Sequence, residues 1–173
     1  PLPTAGDHPH SERFSLFPEW HGTCQLPLDN TDPSYLMEKS YVCPICKKSF
    51  KTHKIIPSKL VVSTTDKDMR NRYSGIEPLY YDIATCPNCL YSADSKMFDK
   101  VDRPVSGLIS ELSAFKSEIG TAFSAKKDTF SIFAGYYLAL FCAPKCFAKH
   151  QIETAKLLLK LSRVYQDTED ASM

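Results

Sequence analysis

The chain changes its hydrophobic period near residue 100. Between Tyr41 and Ala93 apolar residues come in short β-rich runs, and from Val105 onward they recur three and four positions apart. The runs Phe50 to Ile56, Leu60-Val61-Val62-Ser63-Thr64 and Leu79-Tyr80-Tyr81-Asp82-Ile83 each predict a strand. Polar, charged Asp66 to Gly75 predicts a loop between them. Asp102-Arg103-Pro104 predicts a helix start, followed at helical spacing by Val105, Leu108, Ile109, Leu112, Phe115 and Ile119 until Gly120. A second helix is expected from about Asp128, with Phe130, Phe133, Tyr137, Leu140 and Phe141 on one face and Pro144 ending or kinking it. The third should run from His150 to Tyr165 and turn Ile152, Ala155, Leu158, Leu159 and Leu161 inward. Gln166 to Met173 is acidic and polar; acids oppose the dipole at a helix C-terminus, so the helix is expected to stop before it. Helices two and three then form an antiparallel hairpin.

Upstream, six of the twelve prolines fall within the first 33 positions and no period is sustained. This predicts an extended arm, anchored by Phe14, Phe17 and Trp20, with one short turn at Asp32-Pro33. The expected organisation is a Pro-rich arm over 1–39, a ribbon over 40–100 and a helical segment over 101–173. The expected fold class is α+β, a small antiparallel ribbon followed by a helical hairpin or three-helix segment.

Cysteine spacing adds chemistry to this outline. Cys43-Pro44-Ile45-Cys46 and Cys86-Pro87-Asn88-Cys89 are two CPxC knuckles, each able to aim two thiolates at one ion. Together they supply four sulfurs, a complete tetrahedral shell, and the metal expected at Cys43, Cys46, Cys86 and Cys89 is one Zn2+ per chain. Iron is the second choice, because tetrahedral sulfur suits it too. Disulfides fit less well: Pro1 to Trp20 has no apolar core behind basic residues, so a secretory leader is not expected and a cytoplasmic location is. A redox dithiol needs one pair in a strand-to-helix setting, whereas here the pairs are matched. A second metal site would have to draw on His21, Cys24, Cys142 and Cys146, with His150 one turn further on. Pro144 lies between the last two cysteines and spoils that geometry, so both are read as small core residues. His8 and His10 carry no assigned role, and His53 is expected on the surface.

A formal charge of +1 conceals an uneven distribution. Residues 1–34 carry Asp7, Glu12, Glu19, Asp29 and Asp32 against Arg13. Residues 39–72 carry nine bases against Asp66 and Asp68. Lys47, Lys48, Lys51, Lys54, Arg70 and Arg72 are therefore the candidate phosphate contacts, with Phe50 or Tyr73 available to stack on bases. The longest apolar stretch, Tyr136 to Ala143, is far below the ~18 residues of a membrane span, so no membrane is expected as a partner.

Several phrases resemble one known family. Tyr41-Val42-Cys43-Pro44-Ile45-Cys46, Phe50, Ser58-Lys59-Leu60 and Tyr73-Ser74-Gly75-Ile76-Glu77-Pro78-Leu79-Tyr80-Tyr81-Asp82 carry the likeness, with Cys86 to Ala93 and Tyr137-Leu138-Ala139-Leu140. They resemble the bacterial domain-of-unknown-function 2225 family, and Phe17-Pro18-Glu19-Trp20-His21 resembles an entry segment of some members. The resemblance implies a zinc ribbon followed by tetratricopeptide-like helices. Many members place glycine after each knuckle, where this chain has Lys47 and Leu90. Its helices are also too few for a repeat array.

No phosphate loop, nucleophile elbow or zinc-protease motif is present, and four cysteines leave no open coordination position for water. The expectation is a non-enzymatic, zinc-binding module whose helices offer a surface for protein interaction or regulation. The alternative is a ribbon that binds nucleic acid through the bases of residues 47–72.

Overall fold

The computed structural model describes residues 15–18, 24–28, 31–119, 123 and 127–170. Its class is α+β, three two-stranded antiparallel sheets followed by helices. Strand β1 (Leu36–Val42) pairs with β2 (Ser49–Ile55), with Tyr41 opposite Phe50. Strands β3 (Val62–Thr65) and β4 (Asn71–Tyr73) form a second hairpin with an irregularity between Val62 and Thr64. Strand β5 (Ile83–Thr85) pairs with β6 (Ser92–Asp94). The CPxC segments are the turns of the first and third hairpins, so each knuckle is held by its own pair of strands.

Two strand expectations need correction. Strand β4 lies inside the expected 66–75 loop, paired with β3. Pro78–Tyr81 is a 3-10 turn and only Ile83–Thr85 is extended. Pro78 fixes one backbone angle at the start of that turn, and the Glu77 side chain accepts from the Leu79 N–H to cap it. Local capping outweighs the β preference of Tyr80 and Tyr81.

The first helix is also divided, into α1 (Leu108–Ser113) and α2 (Lys116–Ile119). It starts after Gly107 at φ 81°, not at Arg103-Pro104. Asp102 accepts from the Ala148 N–H at 2.7 Å instead of capping α1. Leu108, Leu112, Phe115 and Ile119 still point inward as expected, whereas Ile109 is exposed.

Helix α3 (Thr129–Cys146) opens with a capping box in which Asp128 and Ser131 satisfy each other's backbone N–H. It lies between the β5–β6 hairpin and α4. Gly135 marks the crossing, where a Cβ would stand 3.4 Å from both Ile83 and Thr85. Because both sides are covered, Ile132, Tyr136, Ala139, Cys142 and Cys146 are more deeply buried than the expected Phe130, Tyr137, Leu140 and Phe141. Pro144 is tolerated in the last turn, and the helix ends two residues later.

Helix α4 (His150–Asp170) continues past Tyr165, through the segment expected to stop it. Its buried face is Leu157, Leu161, Val164 and Asp167. Of the expected inward residues only Leu161 is buried. Ala155 is exposed, and Ile152, Leu158 and Leu159 keep 54%, 52% and 55% of their surface. One hydrophobic core runs through the knuckle hairpins and the helices, from Tyr41 and Phe50 to Val164. Its aromatic centre is Phe98, within 5.0 Å of Tyr41, 5.7 Å of Phe50 and 4.9 Å of Tyr91.

Candidate metal centre

The two knuckles fold alike. In the first, Lys47 N–H donates to Cys43 O at 3.0 Å and Cys43 N–H to Lys48 O at 3.0 Å. In the second, Leu90 N–H donates to Cys86 O and Cys86 N–H to Tyr91 O, both at 2.8 Å. The residue after each knuckle turns into the left-handed region, Lys47 at φ 62° and Leu90 at φ 64°. Glycine occupies such positions without strain, and a side chain there costs about 1–2 kcal/mol. Lys47 is exposed and its amine reaches only Pro44 O. Lys47→Gly is therefore expected to raise the melting temperature by about 2–4 °C in a thermal unfolding scan. An unchanged or lower value would mean that the Lys47 contact outweighs the strain.

The hairpins bring the sulfurs of Cys43, Cys46, Cys86 and Cys89 within 4.8 Å of one another. Cys43 Sγ lies 3.6 Å from Cys89 Sγ, and Cys46 Sγ lies 3.7 Å from Cys86 Sγ. A tetrahedron with metal–sulfur bonds of about 2.3 Å has sulfur–sulfur edges of about 3.8 Å. The fit is close. Backbone N–H groups of Ile45 and Cys46 reach the Cys43 sulfur, and those of Asn88 and Cys89 reach the Cys86 sulfur. Hydrogen bonds from Cys43 and then Cys89 hold the Cys86 thiol well below its usual range, while the same contacts push Cys43 and Cys89 up. Four adjacent sulfurs cannot all ionise on their own, and a divalent cation is what lets them. These residues can hold a metal ion.

Among the described residues this is the one group of three or more metal-ligating side chains found close together. His8, His10, Phe14, Trp20 and His21 lie outside the described residues. Cys142 and Cys146 are fully buried in the core, and burial raises both thiols.

The chain matches one family model over residues 36–173, described as an uncharacterized protein conserved in bacteria, DUF2225. It belongs to the DUF2225 family. No curated protein and no solved structure matches it. Both knuckles of this DUF2225 member, and helices α1 to α4, lie inside the matched stretch.

The candidate phosphate contacts divide. Lys47 and Lys48 are exposed, Lys54 is half-buried, and Lys51 is exposed but paired with Glu38 at 2.7 Å. Arg70 and Arg72 are corrections. Arg70 is 2% exposed, with Nη2 bonded to Asp167 Oδ2 at 2.7 Å and Glu77 Oε2 at 3.0 Å, and Nη1 donating to Arg163 O. Arg72 Nη1 bonds Asp167 Oδ1 at 2.5 Å and its Nε bonds Asp66 Oδ2 at 2.6 Å. Tyr80 Oη donates to Asp167 Oδ2 at 3.0 Å. A charged guanidinium enclosed by carboxylates is a core strut, not a phosphate hook. His53 is half-buried, not exposed.

This cluster escaped the sequence reading. Asp167 sits in an acidic tail, and its partners lie 87 to 97 positions upstream. Burial pushes up the Glu77 carboxyl and the Tyr80 phenol. One signal was available: Arg70 and Arg72 alternate along a short polar run, as paired strand residues do.

Proposed function

We propose that the chain is a non-enzymatic zinc-ribbon module, in which one zinc ion closes the four-cysteine shell and the helices present a surface to another protein. The observation that carries this reading is the approach of four sulfurs to tetrahedral spacing. A closed thiolate shell makes zinc a folding element and leaves no position for a reacting water. Zinc suits the site because it needs neither redox chemistry nor a distorted geometry. Elemental mass spectrometry of protein purified without added metal, with a thiol count, tests it. One zinc per chain with four thiols shielded until a chelator is added is the expected result. Iron in its place, or no metal with oxidised cysteines, would overturn it.

The interaction surface we assign is the outer face of α4, where Ile152, Leu158 and Leu159 are exposed and Lys156 is paired with Glu153 at 2.9 Å. Its occupant is an amphipathic helix of a partner protein whose apolar stripe covers these three side chains. A Leu158→Ser, Leu159→Ser variant should keep its stability within about 0.5 kcal/mol. It should also lose a partner identified by crosslinking to the wild-type protein. A large fall in stability would return this face to the core. The nucleic-acid reading is weakened, because Arg70 and Arg72 are committed to internal carboxylates.

A further inference from the structure

A cleft opens beside the buried ion cluster, between the end of α4 and the β4 to Pro78 segment. Its cavity is about 290 Å³, and Arg72, Tyr73, Ile76, Glu77, Tyr80 and Asp167 are among its walls. That volume is near the lower limit for a small-molecule site. Two features of the walls select what would enter.

The first is charge. Among the described residues bonded in the cluster, three carboxylates (Asp66, Glu77, Asp167) face two guanidiniums (Arg70, Arg72). One negative charge is left over. It lies in a partly desolvated place, where a charge counts for more than in water. The second is unused acceptor capacity. Glu77 Oε2 accepts from Arg70 and Oε1 from the Leu79 N–H, one bond each, although a carboxylate oxygen accepts about two. Asp167 Oδ1 accepts from Arg72. Burial raises the Glu77 carboxyl and the neighbouring Asp167 charge adds to this, against the Leu79 N–H and Arg70.

We propose that this cleft binds a small organic cation carrying an ammonium or guanidinium group. The cationic head lies against Glu77 and Asp167, and the rings of Tyr73 and Tyr80 cover it from the side. An anion is disfavoured. Arg72, the one basic residue lining the cleft among the described residues, already bonds Asp66 and Asp167. This reading stands apart from the metal site, so either can fail without the other.

Isothermal titration of the protein as purified, with agmatine, putrescine and inorganic phosphate as separate probes, tests the proposal. Saturable binding of agmatine or putrescine, weakening as salt is raised, is expected, with no heat from phosphate. Glu77→Gln keeps the shape of the wall and one of its two accepted hydrogen bonds but removes its charge, and should weaken the cation at least tenfold. Tyr73→Leu, a half-buried position away from the buried pairs, should weaken it several-fold, and a melting curve of each variant shows that it is folded. Binding of phosphate in preference to both amines, no amine binding at millimolar concentration, or amine binding unchanged in a folded Glu77→Gln protein would each overturn the proposal.

Discussion

Removing the metal is expected to melt the helices together with the knuckles. Structural zinc contributes an apparent 10–16 kcal/mol in small zinc-dependent folds. The whole stability of a domain is about 5–15 kcal/mol. Loss of the ion therefore removes more than the fold has to spare. Two independent melting units would follow if the knuckle hairpins and the helices had separate cores. They do not. Tyr91 and Phe98, both fully buried, stand behind the knuckles in the same core as Leu138 and Val164, and α3 rests on β5–β6 through Gly135. Cys43→Ser, Cys89→Ser, or a chelator added with a reductant should therefore lower the far-ultraviolet helix signal and the near-ultraviolet aromatic signal in one transition. Retention of most of the helix signal after complete metal removal would mean that α3 and α4 fold without the knuckles.

The second large effect is expected at Asp167. Its carboxylate accepts from Arg70, Arg72 and Tyr80, and it is 3% exposed. Truncation to alanine strands the Arg70 guanidinium in the core with Glu77 as its remaining carboxylate. Breaking one side of a buried pair costs about 3–5 kcal/mol. For a chain of this length each kcal/mol moves the melting temperature by about 2–4 °C. Asp167→Ala should thus melt at least 6 °C below wild type in calorimetry. A combined Arg70→Met, Glu77→Gln, Asp167→Leu variant should recover part of that loss, because it removes the stranded guanidinium together with both of its carboxylates and leaves Arg72 paired with Asp66. A small effect of Asp167→Ala would show that Glu77 and water suffice for Arg70.

The knuckles were legible because their chemistry is local. A CPxC tetrapeptide sets two sulfurs one turn apart whatever surrounds it, and the matched pair points to one shared ion. The start of α3 was legible for a similar reason, since Asp128 caps its own next turn. Failures came where distant partners decide. Helix α4 carries two overlapping apolar stripes, Ile152–Ala155–Leu158–Leu159 and Leu157–Leu161–Val164. Periodicity alone cannot rank them, because both satisfy a helical repeat. Packing against α3 buries the second. The same holds for Asp167, which reads as a poor helix residue by its dipole until Arg70 and Arg72 are brought to it. Pro78–Tyr81 failed in the other direction, when a local cap overrode a β-rich composition.

The bond between Arg70 and Asp167 spans 97 positions of chain. On a ribosome adding about 5–20 residues per second, Arg70 is made roughly 5–20 s before the carboxylate that shields it. For most of that interval Glu77 is the partner already made that Arg70 can pair with, and both knuckles are complete about 1–4 s after Arg70. All four knuckle cysteines are therefore synthesised well before Asp167, and the buried ion cluster can be completed only once α4 has been made.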